Sequence, residues 1–125
     1  MAVQLDHTIV AARDNEESAA FLAEILGLPA PTTVGHFEMV TLANGVSLDF
    51  MDRDGDITGQ HYAFAVTDAE FDPILERVRG RDLQIWADPS RSRPGEVRDV
   101  NGSRGFYFLD PSGHFLEVLT HADAS

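Results

Sequence analysis

Three side chains far apart in the chain carry its most recognisable chemistry: His7 in LDHTIV, His61 in GQHYAFAV and Glu117 in HFLEVLT. Two imidazoles and one carboxylate suit a divalent first-row ion, and three protein donors leave coordination positions open for water or a substrate. Glu117 stands between Leu116 and Val118 in an otherwise apolar run. A carboxylate there is costly unless its face reaches water or it meets a cation. The spacing of the three residues matches no local motif. A lone histidine in a half-buried strand is ordinarily a hydrogen-bonded structural residue, so the case rests on the elements that carry it.

Those elements are duplicated. HTIVAARDNEESAAFLAEILG (7–27) aligns with HYAFAVTDAEFDPILERVRG (61–80). Both open with His, run as a strand, reach an Asp and turn helical. The pattern predicts helices over about 15–27 and 69–80, with Asp14 and Asp68 as N-caps and a Gly ending each. Glu17 completes a capping box with Asp14. Pro73 makes Asp72 an alternative cap for the second helix. Strands follow at HFEMVTLA (36–43) and VSLDFM (46–51), joined by Asn44-Gly45. The second half continues with strands at LQIW (83–86), GFYFL (105–109) and HFLEVLT (114–120), the last two linked by Asp110-Pro111-Ser112-Gly113. The expectation is an α+β fold of duplicated βαβββ modules in one domain, residues 1–125. Module one covers about 5–54 and module two about 60–120.

Strand alternation sorts the side chains by face. Tyr62, Phe64 and Val66 form a bulky side suited to a helix, opposite His61, Ala63 and Ala65. Leu48 and Phe50 oppose Ser47, Asp49 and Met51. Phe106 and Phe108 oppose Gly105, Tyr107 and Leu109, and Leu116 and Val118 oppose Phe115, Glu117 and Leu119. Polar groups set among small or mixed neighbours describe a cleft lining. The duplication makes His7 equivalent to His61, and Asp49 equivalent to Glu117. His36, His114 and His121 fall at strand ends or in the tail and read as solvated.

The 125 residues, 43% hydrophobic, suffice for one cored domain. The absence of cysteine excludes disulfides, thiolate ligands and a thiol nucleophile. A net charge of −12 without a single lysine argues against nucleic acid. No apolar run approaches a membrane span and no secretory signal opens the sequence, so a cytoplasmic location is expected.

The chain resembles the vicinal oxygen chelate superfamily, which includes glyoxalase I, bleomycin resistance proteins, fosfomycin-modifying enzymes and extradiol dioxygenases. LDHTIV, AEILGL, GQHYAFAV and above all GFYFLDPSGHFLEVL carry the resemblance, which spans nearly the whole chain. It implies paired βαβββ modules curling a mixed sheet around a metal cleft, assembled as a homodimer. The metal ligands would be His7, His61 and Glu117, with Asp49 as a fourth ligand or as a partner of bound water. The ion would be zinc, nickel, manganese or ferrous iron. A small-molecule substrate with two adjacent oxygens would chelate it for lyase, isomerase or dioxygenase chemistry. Glu117 or Asp49 would move the proton and Tyr107 would donate a hydrogen bond to a bound oxygen. The alternative is a metal-free drug-sequestering protein, which the acidic charge suits for a cationic drug.

Departures from the subfamilies accompany the matches. Glyoxalase I has Glu where Asp49 stands, extradiol enzymes carry a further His that residues 88–103 lack, and the phosphonate-holding residues of fosfomycin transferases are not matched. The long segment DPSRSRPGEVRDVNGS (88–103) holds Arg91, Arg93 and Arg98. It reads either as a loop that binds an anionic group of the substrate or as a solvated connection.

Overall fold

Each half builds one mixed sheet with one helix against it. The structure is a computed structural model that describes residues 2–121. The chain divides into two compact units, Met1–Thr58 and Gly59–Ser125. In the first, strand β1 (His7–Ala12) leads to helix α1 (Asn15–Leu26) and strands β2 (Thr32–Val34), β3 (Phe37–Thr41) and β4 (Ser47–Asp52). In the second, β5 (His61–Ala65), α2 (Asp68–Gly80), β6 (Arg98–Val100), β7 (Ser103–Leu109) and β8 (Phe115–Leu119) repeat that order. The sheets run β1-β4-β3-β2 and β5-β8-β7-β6, with the first and last strand of each unit parallel and the other pairs antiparallel. This is the expected duplicated βαβββ arrangement.

The helices start where polar side chains can hold their free N–H groups. Asp14 caps α1, its carboxylate accepting from the backbone N–H of Glu16 and Glu17 at 3.1 and 3.2 Å. The cap of α2 is Thr67, in place of the expected Asp68 or Asp72. Thr67 accepts from the Glu70 N–H at 3.2 Å while the Glu70 carboxylate takes the Thr67 N–H at 3.0 Å. Two donors are satisfied reciprocally, which a start at Asp72 would forgo. Pro73 therefore lies inside the helix.

Gly27 ends α1 in the left-handed region at φ 69°. Gly80 does not play that part in α2: it is the last helical residue, and Arg81 follows as the C-cap. The left-handed position falls to Asp82, at φ 56°.

Apolar faces form one core per unit. In unit 1, Phe21, Leu22 and Ile25 of α1 are buried, as are Val10, Val40, Leu48 and Phe50 of the strands. In unit 2, Phe71, Ile74 and Val78 of α2 are buried, as are Phe64, Phe106, Phe108, Leu116 and Val118. The Phe71 and Phe106 rings meet edge to face, 5.5 Å between centroids. The Arg104 guanidinium lies 4.2 Å over Phe71 and pairs with Asp72 and Asp68.

At β2 and β6 the structure differs from the expected strands. LQIW forms no strand; Trp86 alone pairs, exchanging backbone hydrogen bonds with Tyr107 at 3.0 and 2.8 Å. The neighbouring edge positions of β7 belong to β6, which lies inside the segment read as a connection. A two-residue Asn101-Gly102 turn returns β6 into β7, with φ of 53° and 84°. Asn-Gly was the available signal. β2 pairs with β3 through Gly35-His36. Among the described residues no helix is long and apolar enough to cross a membrane.

Gly80 has an ordinary helical backbone and open space where a side chain would stand. Gly80→Ala is accordingly expected to stabilise the protein by about 0.5–1 kcal/mol. Chemical denaturation measures it; a loss of stability would show that the residue needs its glycine.

Candidate metal centre

The parallel pairing of β5 and β8 sets Ala63 opposite Glu117 and His61 opposite Phe115. His61 and Glu117 thus stand on the same face of adjacent strands, diagonally across the small Ala63. The imidazole Nε2 lies 3.1 Å from Glu117 Oε1, with side-chain exposures of 48% and 12%. The other ring nitrogen, Nδ1, is 2.9 Å from the Phe115 carbonyl oxygen. A carbonyl can only accept, so Nδ1 carries a proton and donates. In the neutral ring Nε2 then holds a lone pair, and it faces a carboxylate that is also an acceptor. Two acceptors at this distance need a proton or a cation with them.

Two further groups close on the same carboxylate. Arg98 Nη2 reaches Glu117 Oε2 at 3.4 Å. Tyr107, directly opposite Glu117 on β7, is buried and hydrogen-bonds with both Arg98 and Glu117. Burial, and then the Glu117 charge, push the Tyr107 phenol above its ordinary pKa, so it keeps its proton and remains a donor. The His61 ring stacks beside Tyr107 at 5.8 Å, and Phe115 stacks on Tyr107 at 5.1 Å.

Unit 1 repeats the register with different chemistry. His7 is opposite Ser47, and Asp49 is opposite Ile9. Asp49 is buried and accepts from the Ser47 hydroxyl at 2.8 Å. His7 is exposed, and its Nδ1 bonds Asp6 at 2.7 Å. That bond, with a smaller contribution from the Asp49 charge, raises the imidazole pKa against the effect of desolvation. In the neutral ring, donation from Nδ1 to Asp6 leaves the lone pair on Nε2. Taken singly, neither unit gathers three His, Asp or Glu side chains that could hold an ion among the described residues. Unit 2 sets His61 beside Glu117, and unit 1 carries His7 and Asp49 in the equivalent register.

The loop arginines have separate surroundings. Arg93 pairs with Glu96 at 3.0 Å. Arg91 lies over Trp86 and Phe115, 4.9 and 4.8 Å from the ring centroids. Arg98 has left the loop for β6. His36 and His121 are exposed as expected, whereas His114 is buried at 1% exposure. Its Nδ1 accepts the Gln60 N–H at 3.0 Å, and its ring meets Tyr62 edge-on. A strand-end position suggested water, but the turn at Asp110 folds that ring inward. Trp86, Phe115 and Gly105 also belong to this neighbourhood and were not singled out. The one tryptophan of the chain, beside an arginine-rich stretch, was the clearest hint.

Residues 4–118 match the family model described as Glyoxalase/Bleomycin resistance protein/Dioxygenase superfamily. A glutathione transferase FosA from Serratia marcescens is 30% identical over 128 residues, covering 94% of this chain and 81% of its own. Two solved structures are more similar. Oxidase ChaP-H1 shares 53% identity at a TM-score of 0.94, covering 99% of this chain and 100% of its own. Oxidase ChaP-H2 shares 54% at 0.94, covering 100% and 98%.

Arg91 owes its place partly to Asp88, whose carboxylate accepts from the Ser90 and Ser92 hydroxyls and from the Ser92 and Arg93 N–H groups. These bonds, Ser90 first, lower the Asp88 pKa from 3.8 to about 2. Because the folded value is depressed, the contribution to loop order is present above pH 3.8 and lost as pH falls through about 2. A carboxyl-detected NMR titration is expected to find that low midpoint, and Ser90→Ala with Ser92→Ala to move it back up. An ordinary midpoint in the unaltered protein would refute the turn.

Proposed function

The chain belongs to the glyoxalase/bleomycin resistance protein/dioxygenase superfamily, and from that premise we propose that it is a metal-dependent enzyme acting oxidatively on a small molecule with two adjacent oxygens. The observation that carries the reading is the opposed acceptor pair of His61 Nε2 and Glu117 Oε1, 3.1 Å apart. Two donors about 2.0–2.2 Å from one ion, at roughly 90–110° to each other, lie about 2.8–3.6 Å apart. The donor set therefore fits an ion. His7, the duplicate of His61, is the third donor, and Asp49 is a fourth or holds a bound water. The two oxidases that share more than half their residues with this chain support oxidation over lyase or isomerase chemistry. Within the set open to imidazole and carboxylate, reaction with dioxygen favours manganese or ferrous iron.

When bound, the ion supplies a Lewis acid and a docking point for both substrate oxygens. The chain's own groups do the rest. Tyr107, kept protonated, donates a hydrogen bond to a substrate oxygen only by releasing Glu117. Asp49 accepts a proton released as the substrate docks. Arg91, on its Trp86 and Phe115 platform, offers a charge for an anionic substituent, and Arg93 joins it only by leaving Glu96. Assembly as a homodimer accompanies this reading. Ile9, 51% exposed beside His7, is apolar surface that a partner would cover.

The net charge of −12 favours a second reading, a metal-free protein that sequesters a cationic drug. Elemental analysis of protein purified without chelator separates the two. The enzyme reading expects near-stoichiometric divalent metal, and His7→Ala, His61→Ala and Glu117→Ala each weakening it about tenfold or more with an unchanged circular dichroism spectrum. Full occupancy in any of the three removes that residue from the centre. Turnover of a catechol-type compound is expected to stop without oxygen; anaerobic turnover would instead mark proton-transfer chemistry.

A further inference from the structure

Glu117 has two oxygens, and the structure uses them differently. Oε1 faces His61, while Oε2 faces Arg98, whose side chain is about three-quarters covered. Arg98 reaches it only because of the residue beneath. Arg98 and Gly105 are cross-strand partners, and a β-carbon on Gly105 would collide with the guanidinium. The absence of a side chain at 105 opens a channel across β7 along which Arg98 lies. Tyr107, bonded to both Arg98 and Glu117, closes the arrangement from the next strand position on that face.

We propose that Arg98 is a positioning residue that restricts Glu117 to ligation through one oxygen: it occupies Oε2 and leaves Oε1, beside His61 Nε2, to face a bound ion. The inference rests on the metal-centre reading above and deepens it. A carboxylate free at both oxygens can grip an ion with both and take up a position that a substrate with adjacent oxygens would need. A guanidinium on Oε2 keeps that position open. It also opposes the ion by charge, so affinity for metal is lowered while room for substrate is kept.

The test uses the full chain, stripped and reloaded with Co(II). In Arg98→Met, Co(II) is expected to be held about tenfold more tightly in competition with a chelator, because a positive charge that opposes the ion is gone. Its visible absorption should weaken, as for a higher coordination number, and catechol should bind the loaded variant about tenfold more weakly than the loaded wild type. Gly105→Ala keeps the charge but displaces it, and should shift all three readouts the same way. Arg98→Lys should restore the wild-type spectrum in part, since it retains a cation without the fork. Unchanged affinity and spectrum in Arg98→Met would overturn the role of Arg98 alone, provided the wild type takes up Co(II). Weaker retention in Arg98→Met would overturn it too, because that is what a merely structural arginine would give. A wild type that takes up no Co(II) would overturn the metal centre and this inference together. If Gly105→Ala fails to fold by circular dichroism, the Arg98→Met result decides.

Discussion

A carboxylate placed on a mostly covered sheet face must be compensated, and much of the open face of unit 2 follows from that requirement. Glu117 is 12% exposed on a strand whose other face is sealed by Leu116 and Val118. Parallel pairing with β5 puts His61 on the diagonal, near enough for a ring to reach across. Ala63, directly opposite Glu117, is small enough not to stand between them. On the other side Arg98 lies over Gly105. The two small residues are thus as much a part of the site as the charged ones, since each leaves the space through which a neighbour reaches the acid.

Duplication explains why the two units share a register and yet differ in chemistry. In both, the leading histidine sits two residues before the partner of the acid, giving His7 with Ile9 and Asp49, and His61 with Ala63 and Glu117. Three changes separate them. Asp49 is one methylene shorter than Glu117. Ser47, at the position equivalent to Phe115, gives Asp49 a hydroxyl. Ile9 replaces the small Ala63. Asp49 is consequently satisfied within its own strand, and His7 turns instead to Asp6. The same register thus carries an acid set between Arg98 and His61 in unit 2, and a histidine bonded through Nδ1 to Asp6 in unit 1.

The sequence disclosed what local chemistry dictates. Both helices, the Asn44-Gly45 and Asp110–Gly113 turns, the strand faces and the equivalence of His7 with His61 follow from periodicity, caps and turn residues. It concealed what depends on competition between segments. LQIW has good strand residues, but an edge has limited room, and the Asn101-Gly102 turn delivers β6 to β7 first. Thr67 displaced two aspartates as a cap because it alone completes a reciprocal pair with Glu70. His114 read as solvated because burial of a turn residue depends on which way the turn folds. Arg98 was grouped with Arg91 and Arg93 as a loop cation, and only its pairing with Gly105 distinguishes it.

The use of arginine alone as the basic side chain bears on how the fold and the proposed centre coexist. With nine arginines and no lysine under a net charge of −12, each cation is a planar, permanently charged group. Such a group can lie flat across a glycine, as Arg98 does, or over Trp86 and Phe115, as Arg91 does. Permanence matters most at Glu117. There the Arg98 guanidinium holds a permanent positive charge 3.4 Å from the second carboxylate oxygen. On the proposed reading, an ion would therefore meet a carboxylate whose second oxygen Arg98 already engages.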